Sequence, residues 1–154
     1  MSLPAPSVVH QVAALCWQRR AGSVHVLLVT SRETRRWILP KGHRMPGKTD
    51  WEAAAQEAVE EAGVQGVIGE HPIGAFDTVK TGRGGRTRPV RMAVYALEVS
   101  IELADWPERQ QRERRWVAVP QALALVQEPG LKVVLRRFGR DHDAPRAWGA
   151  APRP

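Results

Sequence analysis

Between Thr49 and Gly63 the chain carries the signals for both ends of one helix, and no other stretch constrains the fold as strongly. Thr49 and Glu52 stand in capping-box spacing, so each can satisfy a backbone amide left over at a helix start, and Gly63 suits the left-handed residue that ends one. At 100° per residue, Glu57, Glu60 and Glu61 fall within about 100° of one another, being i, i+3 and i+4. Trp51, Ala55, Ala58, Val59 and Ala62 fall on the opposite arc. The pattern predicts a helix with an apolar side toward a core and three carboxylates presented together.

The surroundings read as β structure. "VVHQVAALCW" and "VHVLLVT" are strand-like runs separated by "QRRAGS", which predicts a hairpin, and "RRWILPKG" predicts a short strand ended by Pro40 and Gly42. "HRMPGK" predicts a loop. After the helix, "VIGEHPIGAFDTVK" and "RPVRMAVYALEVSIE" predict two long strands around the loop "TGRGGRTR", and "RRWVAV" predicts another before two short helices, "PQALALVQ" and "LKVVLRRF". Strands on both sides of one helix, with more helix at the end, predict an α/β fold in which a mixed sheet packs between helical layers. With 154 residues and no linker or repeat, a single domain over 1–154 is expected, its ordered core spanning about 8–140 and its ends, 1–7 and 141–154, loose.

From Thr49 to Gly66 there are five acids and no Lys or Arg, in a chain whose formal net charge is +7. No base within the helix can neutralise that face, and Glu60 and Glu61 lie in the last turn, where the dipole disfavours negative charge by roughly 0.3 to 1 kcal/mol. A solvated acidic face is the competing reading. A hard divalent cation answers both difficulties, because Mg²⁺ takes carboxylate oxygens and is commonly shared with substrate phosphates. The basic remainder of the chain would then grip the phosphates.

Other function classes find less support. No apolar run approaches the ~20 residues that span a bilayer, and no basic segment followed by an apolar one opens the chain, so neither membrane insertion nor secretion is expected. The single Cys16 rules out an internal disulfide and suits a reducing cytoplasm. The histidines show no ligand spacing for structural zinc. Nucleic acid remains open as an anionic partner, although no interleaved aromatic and basic strand pattern, helix-turn-helix or zinc motif supports it.

Residues 42–64, "GHRMPGKTDWEAAAQEAVEEAGV", resemble the Nudix box of the Nudix hydrolases, G-x5-E-x7-R-E-U-x-E-E-x-G-U, where U is apolar. Gly42, Glu57, Glu60, Glu61, Gly63 and Val64 fall in register. The resemblance implies a Nudix-type α/β/α sandwich that hydrolyses a phosphoanhydride with Mg²⁺ or Mn²⁺, with Glu57, Glu60 and Glu61 catalytic as metal ligands and backbone carbonyls near Lys41 and Gly42 assisting. Two positions depart from the box: Lys48 replaces its first Glu, and Gln56 replaces its Arg. Both members of a bracing pair are thus missing together, while the ligands are kept.

"WILPKG", "EEAGVQGVIG" and "LADWPERQQRERRWV" resemble the branch that cleaves diphosphoinositol polyphosphates and diadenosine polyphosphates. Five bases and no acid between Lys80 and Arg91 agree with a highly phosphorylated small-molecule substrate. By that resemblance Ser31, Arg32, Arg88, Arg91, Arg115 and Lys132 are candidate phosphate contacts, joined by Lys41. Trp37 is either a core aromatic or a base contact, and Trp17, Trp106 and Trp116 are expected to pack. Glu60 is the first choice of general base, with Glu98 and Glu102 as alternatives, and Glu98 shares the strand parity of Val94 and Ala96. A monomer is the favoured state. A non-catalytic module that binds phosphate ligands, suggested by Lys48 and Gln56, and an RNA 5′-end pyrophosphohydrolase, suggested by the charge, remain alternative functions.

Overall fold

A computed structural model describes residues 7–143. In chain order the elements are β1 (Val9–Arg20), β2 (Ser23–Thr30), β3 (Trp37–Ile38), β4 (Lys41–His43) and α1 (Asp50–Glu57). They continue with β5 (Val64–Ile68), β6 (Gly74–Thr81), β7 (Thr87–Glu102), β8 (Arg114–Ala118), α2 (Val119–Leu125) and α3 (Pro129–Asp143).

Residues 12–16 of β1, "VAALC", are buried throughout, because helices cover both faces of the sheet and both strand parities must be apolar. Ala13 and Leu15 face one way with Val24, Val26 and Leu28 of β2, meeting Ala122 of α2 and Leu131, Leu135 and Phe138 of α3. Val12, Ala14 and Cys16 face the other way with Leu27 and Val29, meeting Ala53, Ala54, Ala58 and Ala62 of the box helix. Alanines let that helix lie close on the sheet. The strand order β3-β2-β1-β7-β5 is extended by β4 on β1, β6 on β7 and β8 on β2. The β1–β7 pair is parallel and the remaining pairs are antiparallel, so the sheet is mixed, and the α/β/α sandwich matches the sequence expectation.

Four local expectations need correction. The run read as one strand through "VIGEHPIGAFDTVK" is two: β5 ends at Ile68 and β6 begins at Gly74, with the Gly69 and Ile73 amides still donating to Ala96 and Val94 of β7. Pro72 between them has no amide to donate, which breaks the ladder. The loop expected from His43 starts one residue later, since Lys41–His43 pairs with β1. The last helix is longer than "LKVVLRRF", running from Pro129 to Asp143, so residues 141–143 continue it instead of opening a loose end; residues 1–6 and 144–154 lie outside the described residues.

The box helix also departs from the regular amphipathic helix expected. Its capping box is present, with Thr49 Oγ1 accepting from the Glu52 amide at 3.2 Å and Glu52 Oε1 from the Thr49 amide at 2.8 Å. Gly63 ends it at φ 65°, ψ 37°. Between Ala58 and Ala62 the helix widens to a π turn, a feature frequent at functional sites. Ala53 and Ala54 are buried while Ala55 and Val59 are only half-buried, and Glu61, placed by periodicity among the exposed carboxylates, is 6% exposed. Residues 103–114 cover it from outside the helix, which helical periodicity could not register. Among the described residues no helix is long and apolar enough to cross a membrane.

Candidate active site

Strand β4 organises the site, one residue at a time. The Lys41 amide donates to Glu61 Oε1 at 3.1 Å. Gly42 lies against Glu57 so closely that a Cβ there would overlap the Glu57 carboxylate, which explains the glycine through its neighbour and not its backbone angle. His43 turns to the other side, with Nε2 3.1 Å from Lys80 Nζ, and lines a cleft of about 920 Å³ together with Lys80, Arg83, Arg86 and Arg88. No acid lines that cleft. Three consecutive residues therefore join a carboxylate cluster to a basic pocket.

The carboxylates repel one another at close quarters. Burial pushes Glu57 up to about 8, and the adjacent charges of Glu61 and Glu60 add to the effect. Glu61 is also raised by burial, but the Arg112 guanidinium and the Lys41 amide pull it back, so Glu57 keeps the proton and donates it to Glu61. The half-buried Glu57 and the buried Glu61 bring together carboxylate oxygens of the kind a hard cation takes. By this test the residues fit a divalent ion.

The expected trio is only partly assembled. Glu57 and Glu61 meet, but Glu60 turns aside to accept from Gln56 Nε2 at 2.7 Å. Among the described residues no three acid, His or Cys side chains converge on one cation position.

The box departures have local replacements. Arg44 forks onto the Asp50 carboxylate through Nε and Nη2, at 3.1 and 3.0 Å, tying the loop before the helix to its first turn. At the other end, the last turn's carbonyls are satisfied from β8 and the segment before it. Arg114 Nη1 donates to Ala62 and Gly63, Trp106 Nε1 donates to Glu61, and the Glu108 amide donates to Glu60. A guanidinium there also opposes the dipole that the acids of the last turn work against.

Of the proposed phosphate contacts, Lys41 and Arg88 lie at the junction just described. Burial lowers the Lys41 pKa, opposed by Glu61 and reinforced by Arg112, Lys80 and Arg36. Burial, then Lys80, Lys41 and Arg88, likewise keep His43 below its ordinary value. The others are engaged elsewhere. Ser31 Oγ pairs with Thr34 and accepts from the Arg36 amide, Arg32 donates to Gln111, and Arg91 pairs with Asp77 across β6 and β7 at 3.1 Å. Arg115 stands 5.9 Å from the Trp37 ring, and Lys132 donates to the Leu123 carbonyl at the end of α2. As alternative bases, Glu98 is exposed and not buried as its parity suggested, and Glu102 is held by Trp116 and Arg20.

Sequence reasoning missed Arg112 and Glu108. Their i, i+4 spacing in "ERQQR" was the available signal, but only the chain's return over the box helix reveals their target.

Residues 9–138 match the NUDIX domain. The chain belongs to the Nudix family. It is 38% identical over 123 residues to Nudix hydrolase 12, mitochondrial, of Arabidopsis thaliana, covering 76% of this chain and 59% of that protein. Its likeness to diphosphoinositol polyphosphate phosphohydrolase 3-beta of Homo sapiens is 33% over 119 residues, covering 76% and 68%. Arabidopsis Nudix hydrolase 13 is matched over 60% of its length, so the chain spans about three fifths of these plant relatives. The Nudix fold recurs in a C. elegans Ap4A hydrolase, with TM-score 0.63 and 23% identity over 86% of this chain and 96% of that one. It recurs also in a Nudix hydrolase from Nitrosomonas europaea, with TM-score 0.68 and 17% identity over 88% and 91%.

Proposed function

We propose that this Nudix protein is a divalent-metal-dependent hydrolase of phosphoanhydride bonds in highly phosphorylated small molecules, of the diphosphoinositol polyphosphate or dinucleoside polyphosphate class. One observation carries the reading: β4 places Glu57 and Glu61 on one side and the His43–Lys80 cleft on the other, so a bound phosphate chain could reach from carboxylates to cations. The names of its relatives, which include a diphosphoinositol polyphosphate phosphohydrolase, support the same class.

Glu57 and Glu61, with Glu60 swinging from Gln56, would hold Mg²⁺ or Mn²⁺, assisted by main-chain carbonyls at Lys41 and Gly42. The ion, when bound, would supply Lewis-acid activation of water and of a phosphoryl oxygen. The chain's own residues do the rest. Lys41 and Arg88 would hold the phosphates beside the carboxylates and stabilise charge that grows on their oxygens. Lys80, Arg83 and Arg86 would take the more distal phosphates, and Ser31, Arg32, Arg91, Arg115 and Lys132 would contribute once freed from present partners. Glu60 serves as general base in this scheme, because Gln56 holds its carboxylate apart from the Glu57–Glu61 pair.

The buried free thiol of Cys16 suits a reducing compartment such as the cytoplasm, and we take the protein to act there as a monomer. Release of orthophosphate or nucleotide from a diphosphoinositol polyphosphate, a diadenosine polyphosphate, inorganic polyphosphate and a 5′-triphosphorylated RNA, each with Mg²⁺, Mn²⁺ or EDTA, tests the reading. Metal-dependent turnover of the first or second is expected. Turnover of RNA alone would transfer the activity to 5′ ends. Binding of all four without turnover would favour the phosphate-binding module that Lys48 and Gln56 suggest.

A further inference from the structure

Arg112 lies outside the box, and each of its three guanidinium nitrogens has a partner. Nε donates to Glu108 Oε1 at 2.7 Å, Nη1 donates to the Thr30 carbonyl at 3.1 Å, and Nη2 stands 3.4 Å from Glu61 Oε2. The side chain is 7% exposed, as is that of Glu61. The adjacent Glu113 amide donates to Thr30 Oγ1 at 2.9 Å, so β2 fixes the backbone beside Arg112 as well as its side chain.

We infer that Arg112 is a positioning residue: it holds the buried Glu61 carboxylate at the mouth of the divalent-ion site, a bracing task for which the box itself has no arginine in this chain. The box position before Glu57 is Gln56, whose amide is spent on Glu60, and Arg44 at the front of the helix is spent on Asp50. Among the described residues Arg112 is the guanidinium in ion-pair range of Glu61. The Lys41 amide holds Glu61 Oε1 and Arg112 faces Oε2, so the two partners between them fix the orientation of the carboxylate, and a buried carboxylate that loses such a partner is severely penalised. Glu108 balances the guanidinium on its far side and thereby sets how firmly Arg112 can pull on Glu61.

The inference rests on the divalent-ion reading of the site, and a double-mutant cycle read by Mn²⁺ affinity separates the two. Mn²⁺ is titrated into the metal-free protein, without substrate, in four forms: wild type, Arg112→Gln, Glu61→Gln and the double variant. Arg112→Gln is expected to weaken Mn²⁺ binding by about tenfold or more, as loss of a residue that orients a ligand does. In the Glu61→Gln background the same change is expected to have little effect, because its target has gone. Arg112→Lys retains the charge with fewer donors and is expected to fall between wild type and Arg112→Gln. A purely structural residue would lower Tm and leave the affinity ratio alike in both backgrounds. An equal loss in the two backgrounds, or wild-type affinity in Arg112→Gln, overturns the inference while leaving the ion site standing. Failure of the wild type to bind Mn²⁺ overturns both. Should Arg112→Gln not fold, Arg112→Lys completes the cycle under the same criteria.

Discussion

Glu57 shows how much one side chain's setting changes its chemistry. Its pKa stands near 8, against an ordinary value of 4.5, because burial and Glu61 disfavour its charge. A raised pKa means that the folded metal-free protein binds a proton more tightly than the unfolded chain. Glu57 therefore contributes fully below the unfolded value, and that stability is lost as pH climbs through the interval from 4.5 to about 8. In EDTA, Tm is expected to decline across that interval, and Glu57→Gln is expected to flatten the decline while weakening Mn²⁺ binding. Differential scanning fluorimetry at several pH values checks the first point and calorimetric titration the second. A Tm profile unchanged by Glu57→Gln would show that the shared proton lies elsewhere. Gly42 belongs to the same scale: Gly42→Ala would drive a methyl into the Glu57 carboxylate, and Mn²⁺ affinity is expected to fall at least about tenfold, as for disruption of a ligand's support.

At the scale of elements, the β1–β2 hairpin and the end of the box helix both turn on left-handed backbone, but only the second is also closed in by a neighbour. The hairpin turns on Ala21 and Gly22, both with positive φ, at 52° and 84°. Such turns favour Asn-Gly, and an alanine held left-handed costs roughly 1 kcal/mol. Ala21→Asn is expected to raise stability by up to about 1 kcal/mol with no change in Mn²⁺ affinity, measured by urea unfolding. At Gly63 the positive φ coincides with Trp106 packed where a Cβ would stand, so two independent requirements meet in one glycine. Gly63→Ala is expected to destabilise by more than the roughly 1 kcal/mol of the left-handed backbone alone, because Trp106, its bond to Glu61 and the Arg114 stack must all shift. A loss below 1 kcal/mol in the same experiment would mean that Trp106 relaxes freely.

Across the whole molecule, charge is sorted by the fold. Acids of the box helix and bases of the β6–β7 hairpin are separated by some twenty residues of sequence and brought to either side of β4. Removing Lys80, Arg83 and Arg86 together is expected to raise KM for a polyphosphorylated substrate at low salt while sparing kcat, and to weaken the dependence of KM on ionic strength, because exposed cations act through screened fields. Steady-state kinetics at two salt concentrations checks this. A salt response identical to wild type would remove the cleft from the substrate's path.

The sequence by itself determined the helix from Thr49 to Gly63, the strands before it and the sandwich class, because capping, left-handed termination and strand-like apolar runs are local signals. The box spacing likewise made Glu57, Glu60 and Glu61 legible as a set. Tertiary structure decided which of them are buried, since Glu61 is enclosed by residues 103–114 and Glu60 is drawn aside by Gln56. It also selected Arg112 and Glu108 from a run of charged residues that looked alike in one dimension. Periodicity reports what a helix buries beneath itself; what another segment lays over it depends on long-range chain return, and that return is where this site acquires its charge balance.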